Sequence, residues 1–334
     1  MRRLITILAG LVSGVLLLLA LVGAAYQAIA QSRDRNRHPP MGQLVEVGGV
    51  RLHLRCVGTG DPTVVLEAGL GGSYLDWTLV QDSIGAFTRV CAYDRPGFGW
   101  SDAVSGPLRA DSVAALLHGL LSNAGVNGPY VLVGQSIGGV YVRSFAARYP
   151  DDVVGMVLVE SAHEEQGNRM PETAGSDAGL SRLLAVCRVT APFGLMRLLK
   201  VAEGFTRGLP FPEAKRRAVV AVMNRTRYCR SLANEIAAAD RDTRQPRVTT
   251  SLGQRPLAVL TAAQSIEDDS SATELERRAS DVWRSLQLEL TALSSNAQQI
   301  VVEDSGHQMQ WDQPAAVVDA ARLVVRQAIE TFGL

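Results

Sequence analysis

The residues best suited to chemistry are Gly134-Gln135-Ser136-Ile137-Gly138, directly after the apolar run Tyr130-Val131-Leu132-Val133 and directly before a helix-like stretch. A G-x-S-x-G pattern on a strand-to-helix turn presents its serine at the helix start, and the flanking positions are small because neighbouring backbone comes close. Ser136 is the candidate nucleophile. A serine hydroxyl attacks only when a base takes its proton, and that base is normally a histidine oriented by a carboxylate. Such a turn is followed along the chain by the acid and then the histidine, which reduces the five histidines to His163 and His307. His307 follows Asp304-Ser305-Gly306 just beyond the last strand-like run, where a loop at a strand's carboxyl end can reach Ser136. It is the expected base. His163 reads as a structural residue or a substrate contact.

Two positions compete for the carboxylate. Glu160 opens the loop after the apolar run 153–159, whereas Asp268 and Asp269 lie beyond the run 256–261. The second pair belongs to Glu267-Asp268-Asp269-Ser270, the kind of stretch that starts a solvated helix, because Asp and Ser cap helices and acids favour the first turn. Glu160 is the expected acid and Asp268 the alternative. Acyl transfer also needs donors for the tetrahedral oxyanion, each worth roughly 3 kcal/mol. The N–H of Ile137 supplies one, and the glycine-rich stretch Glu67-Ala68-Gly69-Leu70-Gly71-Gly72-Ser73 supplies the other, expected from Leu70.

A sheet must position these residues. Short apolar runs at 63–67, 89–93, 130–134 and 153–159 alternate with helix-like stretches such as 112–124 and 140–149. Strands buried on both faces and separated by helices make a mainly parallel sheet. Ahead of them, alternating patterns at 43–47 and 50–57 around Gly48-Gly49 read as a hairpin giving two antiparallel edge strands. Runs at 256–261 and 299–302 add two more strands, and 314–332 is a closing helix. Between His163 and about Thr250 the pattern shifts to Leu, Ala and Arg at helical spacing. That insertion is expected over the carboxyl ends of the strands, where ligands bind in open α/β sheets.

The start of the chain is different material. Met1-Arg2-Arg3 precedes an uncharged stretch, 4–25, rich in Leu, Val, Ala and Gly. A helix needs about 20 apolar residues to cross a bilayer, and a signal peptide's apolar region runs to about 15, so an uncleaved anchor is expected. Ala28-Ile29-Ala30 before Gln31 leaves a cleaved signal peptide open. Arginines on both sides (Arg2 and Arg3; Arg33, Arg35 and Arg37) leave the orientation undecided by the positive-inside rule. The expected organisation is 1–30 membrane segment, 31–41 tether, 42–162 with 251–334 catalytic core, and 163–250 helical cap. Lys plus Arg balance Asp plus Glu at 33 each, so no net positive field draws the chain to nucleic acid. Four cysteines allow three pairings. Cys56 with Cys91 and Cys187 with Cys229 keeps each pair within one region, and disulfides imply an oxidising compartment; four buried thiols are the alternative. The catalytic domain is expected outside the cytoplasm.

Four blocks carry a family resemblance: Leu66-Glu67-Ala68-Gly69, Ala92-Tyr93-Asp94-Arg95-Pro96-Gly97-Phe98-Gly99-Trp100-Ser101, residues 133–139, and Ser305-Gly306-His307. From about Gly42 onward the chain resembles the α/β-hydrolase superfamily, and within it a bacterial subgroup. The resemblance implies a mostly parallel eight-stranded sheet flanked by helices, a helical cap insertion, a small-molecule substrate, and no metal or organic cofactor. Some members, such as a group of haloalkane dehalogenases, place the acid after the sixth strand, which matches Glu160. This chain departs from the family in having Ala68-Gly69 where many relatives have His-Gly, and in lacking an Asp close to Gln264. Family dehalogenases and epoxide hydrolases carry aspartate in the elbow, so Ser136 points to hydrolysis of an apolar ester. Amide, peptide or carbon-carbon cleavage, acyl transfer, and a non-catalytic binding role are the alternatives. Leu195, Met196, Leu198, Leu199 and Phe205 are expected either to line a pocket in the cap or to pack it onto the core.

Overall fold

The computed structural model describes residues 1–171, 176–244, 251–263 and 273–334, with the side chains of 176–178 excepted. Among them, eight strands form one sheet in the order β1-β2-β4-β3-β5-β6-β7-β8. These are β1 (Gln43–Val47), β2 (Val50–Val57), β3 (Thr63–Glu67), β4 (Val90–Tyr93), β5 (Tyr130–Gln135), β6 (Val153–Val159), β7 (Leu257–Ala262) and β8 (Ala297–Val302). Every residue of β3, β4, β5 and β6 is buried, because Val- and Leu-rich strands in the middle of a sheet are covered by helices on both faces.

The helices among the described residues are α1 (Arg2–Arg37), α2 (Gln81–Gly85), α3 (Ala110–Asn123), α4 (Ile137–Arg148), α5 (Gln166–Arg169), α6 (Ser176–Thr190), α7 (Leu195–Leu198), α8 (Val201–Phe205), α9 (Glu213–Met223), α10 (Tyr228–Asp242), α11 (Glu274–Glu289), α12 (Met309–Asp312) and α13 (Pro314–Phe332), of which α3, α4 and α13 pack on the sheet. One cluster joins Leu117, Leu120 and Leu121 of α3 and Val142 and Phe145 of α4 to Leu132, Met156 and Leu158 of the sheet. Along α13, Val317, Ala321, Val324 and Ala328 are buried at the helical spacing that makes one apolar stripe.

The hairpin forms as its sequence indicates. Gly48 and Gly49 both take positive φ, 58° and 86°, the conformation a two-residue turn between right-twisted strands demands. Of the two hairpin strands, however, only β1 lies at an edge of the sheet. β2 is antiparallel to β1 on one side and to β4 on the other, because the hairpin adds to the sheet through its second strand. Cys56 stands opposite Cys91 in that β2–β4 ladder, and the two are disulfide-bonded. Cys187 is bonded to Cys229.

The chain divides into two compact units, Met1–Pro39 with Ser176–Arg230, and Pro40–Gly175 with Ser231–Leu334. The helical insertion is therefore shared: its middle belongs with the N-terminal helix and its two ends belong with the sheet. The ends are tied by ions. Arg143 Nε is 2.9 Å from Glu164 Oε1, while Asp242 accepts from the N–H of Ala110 at 2.9 Å and pairs with Arg109.

In the other unit, α1 runs unbroken to Arg37, through most of the stretch that reads in sequence as a tether. Polar contacts continue the helix: Gln27 Nε2 donates to the Asn224 carbonyl at 2.8 Å, and Arg197 Nη1 lies 2.7 Å from Asp34 Oδ2. The apolar residues proposed to line or seat a cap are largely uncovered. Leu195, Leu198, Leu199 and Phe205 are exposed and Met196 is half-buried.

Candidate active site

Ser136 sits between β5 and α4 with φ 54° and ψ −125°, a left-handed conformation that costs a non-glycine residue of order 1–3 kcal/mol. The small neighbours permit the turn. A Cβ at Gly134 would come within 2.7 Å of the Gly138 carbonyl, and one at Gly138 within 2.6 Å of the Glu67 carbonyl. The serine is fixed from both sides, its N–H donating to the Val159 carbonyl at 3.1 Å and its carbonyl accepting from Ala162 N–H at 2.9 Å.

His307, beyond β8, brings Nε2 to 3.0 Å from Ser136 Oγ. Its backbone carbonyl accepts from Gln135 Nε2 at 3.1 Å, so the residue before the serine helps hold the histidine loop. On the other ring edge, Nδ1 lies 3.4 Å from Glu160 Oε2. That separation is long for a hydrogen bond, as such contacts often are before a substrate closes the site.

Glu160 opens the loop after β6, also in the left-handed region at φ 44°, and its N–H donates to the Leu260 carbonyl at 2.9 Å. The side chain is 5% exposed, against 46% for His307. Each carboxylate oxygen has its own donor: Oε1 accepts from Ala262 N–H at 2.7 Å and Oε2 from Trp283 Nε1 at 2.9 Å. A buried carboxylate so engaged keeps a fixed orientation, aimed at His307. Trp283, on α11, also packs edge-on against the His307 ring with centroids 5.8 Å apart. Asp268 and Asp269 lie outside the described residues.

His163 stands apart from this cluster. Its Nδ1 accepts from the Glu165 N–H at 3.1 Å, and burial holds its ring below the usual histidine range.

Ile137 begins α4, where the first N–H groups of a helix lack intrahelical acceptors. Leu70 follows β3, and among the described residues no acceptor engages its N–H. The loop carrying Leu70 is held by Arg95. Its Nη1 donates to Glu67 Oε1 at 2.5 Å and to the Ala68 carbonyl at 2.7 Å, and Nη2 donates to the Gly69 carbonyl at 2.6 Å. The remaining Nε donates to Glu235 Oε1 at 2.7 Å, and Glu235 Oε2 accepts from Gly71 N–H at 2.6 Å. Tyr93 hydroxyl closes the network on Glu67. One guanidinium thus fixes the carbonyls before Leu70, and α10 of the insertion fixes the N–H after it.

Burial pushes the Glu67 carboxyl up, opposed by the Arg95 charge. Removing that charge leaves two buried carboxylates uncompensated, which typically costs about 3–5 kcal/mol. Arg95→Met is expected to lower unfolding stability by that order, measured as a shift in the urea midpoint.

Asp76 sits just past the loop, accepting from Ser73 N–H at 3.2 Å. Burial pushes its carboxyl from an ordinary 3.8 up to about 7. Between those values the folded chain holds a proton that the unfolded chain has released, so this group's contribution to stability falls as pH rises. Asp76→Asn stays neutral and is expected to flatten that fall, seen as a smaller difference between urea midpoints at about pH 5 and about pH 8.

Ser136, His307 and Glu160 are thus drawn together from the carboxyl ends of three strands, with Leu70 and Ile137 on adjoining segments. Trp283, Arg95 and Glu235 do not emerge from sequence reasoning. Arg95 falls inside a quoted family block without a role, Glu235 is one acid among many on a helix, and Trp283 belongs to no pattern.

This sheet order with a serine on the turn after β5 defines the α/β-hydrolase fold. Residues 64–320 match the alpha/beta hydrolase family model, and the chain belongs to that family. An AB hydrolase superfamily protein of Gibberella zeae is 26% identical over 298 residues, 79% of this chain and 86% of that protein. An uncharacterized protein of Schizosaccharomyces pombe is 33% identical over 198 residues, 50% of this chain, and this chain spans only 36% of its length. An esterase from Exiguobacterium antarcticum superposes with TM-score 0.62 at 15% identity, covering 86% of this chain and 100% of that one, a likeness of fold alone.

Proposed function

We propose that the protein is a membrane-anchored serine esterase that works through an acyl-enzyme. The observation that carries the reading is the 3.0 Å approach of His307 Nε2 to Ser136 Oγ at a strand–serine–helix turn. In the proposed cycle Ser136 Oγ attacks the ester carbonyl while His307 takes its proton. The oxyanion is received by the N–H groups of Leu70 and Ile137, and the imidazolium that forms is stabilised by Glu160. His307 then protonates the departing alcohol. Water, deprotonated by the same imidazole, attacks the acyl-enzyme and frees Ser136.

Glu160 is proposed as the acid because its carboxylate is buried, donor-bound and directed at Nδ1. Selectivity is assigned to the helical segment 163–250 acting as a cap, and Glu235 of that segment already reaches Gly71 in the oxyanion loop. The helix Arg2–Arg37 is long and apolar enough to cross a membrane. Two disulfides support an oxidising, extracytoplasmic side for the catalytic core.

The ester assignment is tested with nitrophenyl esters of increasing acyl length, alongside matched anilides. Turnover of the esters at rates far above the anilides, with a preference among chain lengths, is the expected result. Comparable anilide turnover, or no ester turnover, overturns it.

A further inference from the structure

The unit containing α1 carries an apolar surface that faces no other part of it. Val186 and Val189 of α6, Phe193, Leu198 and Leu199 around α7, and Phe205 of α8 are between 42% and 69% exposed. On α6 the opposite face is already apolar and buried, with Leu184 at 8% and Cys187 at 6%. A helix apolar on both sides is normally covered on both. Here one side is left open, and contiguous apolar patches of this kind mark interaction surfaces.

The packing against α1 sets the depth of that surface. A helix rises about 1.5 Å per residue and the hydrocarbon layer is about 30 Å thick, so about 20 residues reach across it. Counted from Leu4, the first residue after the paired arginines, the span ends at Gly23. At that residue the insertion touches the helix. A Cβ on Gly23 would meet the Phe193 carbonyl at 2.6 Å, and one on Gly194 would meet Tyr26 Cδ1 at 2.8 Å. Immediately beyond, the contacts turn polar, with Gln27 buried against Asn224 and Arg197 paired with Asp34. The turn at Phe193 is therefore held at the level where the apolar stretch of α1 ends, and α7 follows on the polar side of it, tied through Arg197 to Gln27 and Asp34. Exposed Arg188, Lys200 and Arg207 lie among the residues of the apolar surface, the mixture that suits a headgroup boundary. The Cys187–Cys229 disulfide ties α6 to the start of α10 and keeps the surface in place.

We infer that α6, α7 and α8 dock onto the bilayer surface beside the anchor, with Val186, Val189, Phe193, Leu198, Leu199 and Phe205 entering the headgroup–acyl boundary. The inference rests on the proposed membrane span of α1. The anchor is then no leash: the unit is fixed against the membrane at a defined depth.

The test uses the full-length protein in phosphatidylcholine–phosphatidylglycerol vesicles, with a fluorophore on Leu198→Cys, Leu11→Cys or Glu330→Cys. All three side chains are exposed, so the substitutions leave packing alone. Quenchers are lipids nitroxide-labelled at a shallow or a deep acyl position. The expected result is that the Leu198 probe loses most of its emission to the shallow quencher, the Leu11 probe loses most to the deep quencher, and the Glu330 probe loses none. A quenched Leu11 probe beside an unquenched Leu198 probe overturns the docking while leaving the anchor intact. Energy transfer between Leu198 probes on separate copies, without lipid quenching, assigns the surface to self-association and also overturns it. If the Leu11 probe escapes both quenchers, the span itself is absent and both readings fall.

Discussion

Replacing Ser136 by Ala is expected to lower kcat for ester hydrolysis by about 10⁶-fold, the scale seen when a serine nucleophile is removed from a triad. The thermal midpoint should stay close to wild type. The lost group is one hydroxyl, the alanine inherits the same φ of 54°, and the backbone bonds to Val159 and Ala162 do not involve the side chain. Residual turnover above the uncatalysed rate is also expected, because the N–H groups of Leu70 and Ile137 would still receive the oxyanion. Steady-state kinetics on a nitrophenyl ester and a thermal melt check both halves.

The second large effect concerns the acid. Glu160→Gln preserves the shape of the side chain but removes the charge that supports the imidazolium, and it sets an amide N–H₂ against one of the two donors, Ala262 N–H or Trp283 Nε1, while the amide oxygen accepts from the other. A fall of about 10³–10⁴-fold in kcat is expected, in line with neutralising a triad carboxylate. Asp268→Asn is expected to leave kcat within a few-fold of wild type. A large loss from Asp268→Asn, with Glu160→Gln active, transfers the acid to Asp268.

The arrangement of Ser136, His307 and Glu160 was readable from the sequence in part. Ser136 and His307 were legible because each falls at a point where chain order and strand boundaries leave few choices. A serine between two glycines after Tyr130-Val131-Leu132-Val133 has one natural geometry, and only one of the five histidines follows the last strand. The strands were equally legible, since Thr63–Glu67 and Val153–Val159 are apolar runs cut off by turn residues. The acid was not fixed in this way, because two loops offered carboxylates and burial is a property of packing. Trp283, distant in sequence from everything else at the site, supplies the donor to Glu160. No periodicity announces such a contact.

The Arg95 network makes the same point about the oxyanion loop. Glycines at 69, 71 and 72 say that the backbone can turn inward but not what holds it there. Arg95 holds it, with three donors used on Glu67, Ala68 and Gly69 and a fourth on Glu235. Four partners drawn from β3, its loop and α10 converge on one side chain. Only the folded chain brings them within reach. The N-terminal region shows a further limit: helix propensity carried α1 through Arg37 although Arg33, Asp34 and Arg35 read as a polar tether. Contacts with Asn224, Thr226 and Arg197 support that extension.

The most direct test of Ser136 as an activated nucleophile is covalent. Purified full-length protein is treated with a fluorophosphonate, digested, and mapped by mass spectrometry. A single adduct on the peptide carrying Ser136, absent from Ser136→Ala and strongly slowed in His307→Ala, is the predicted result. No adduct on the wild-type protein, or equal labelling of Ser136→Ala, contradicts the account.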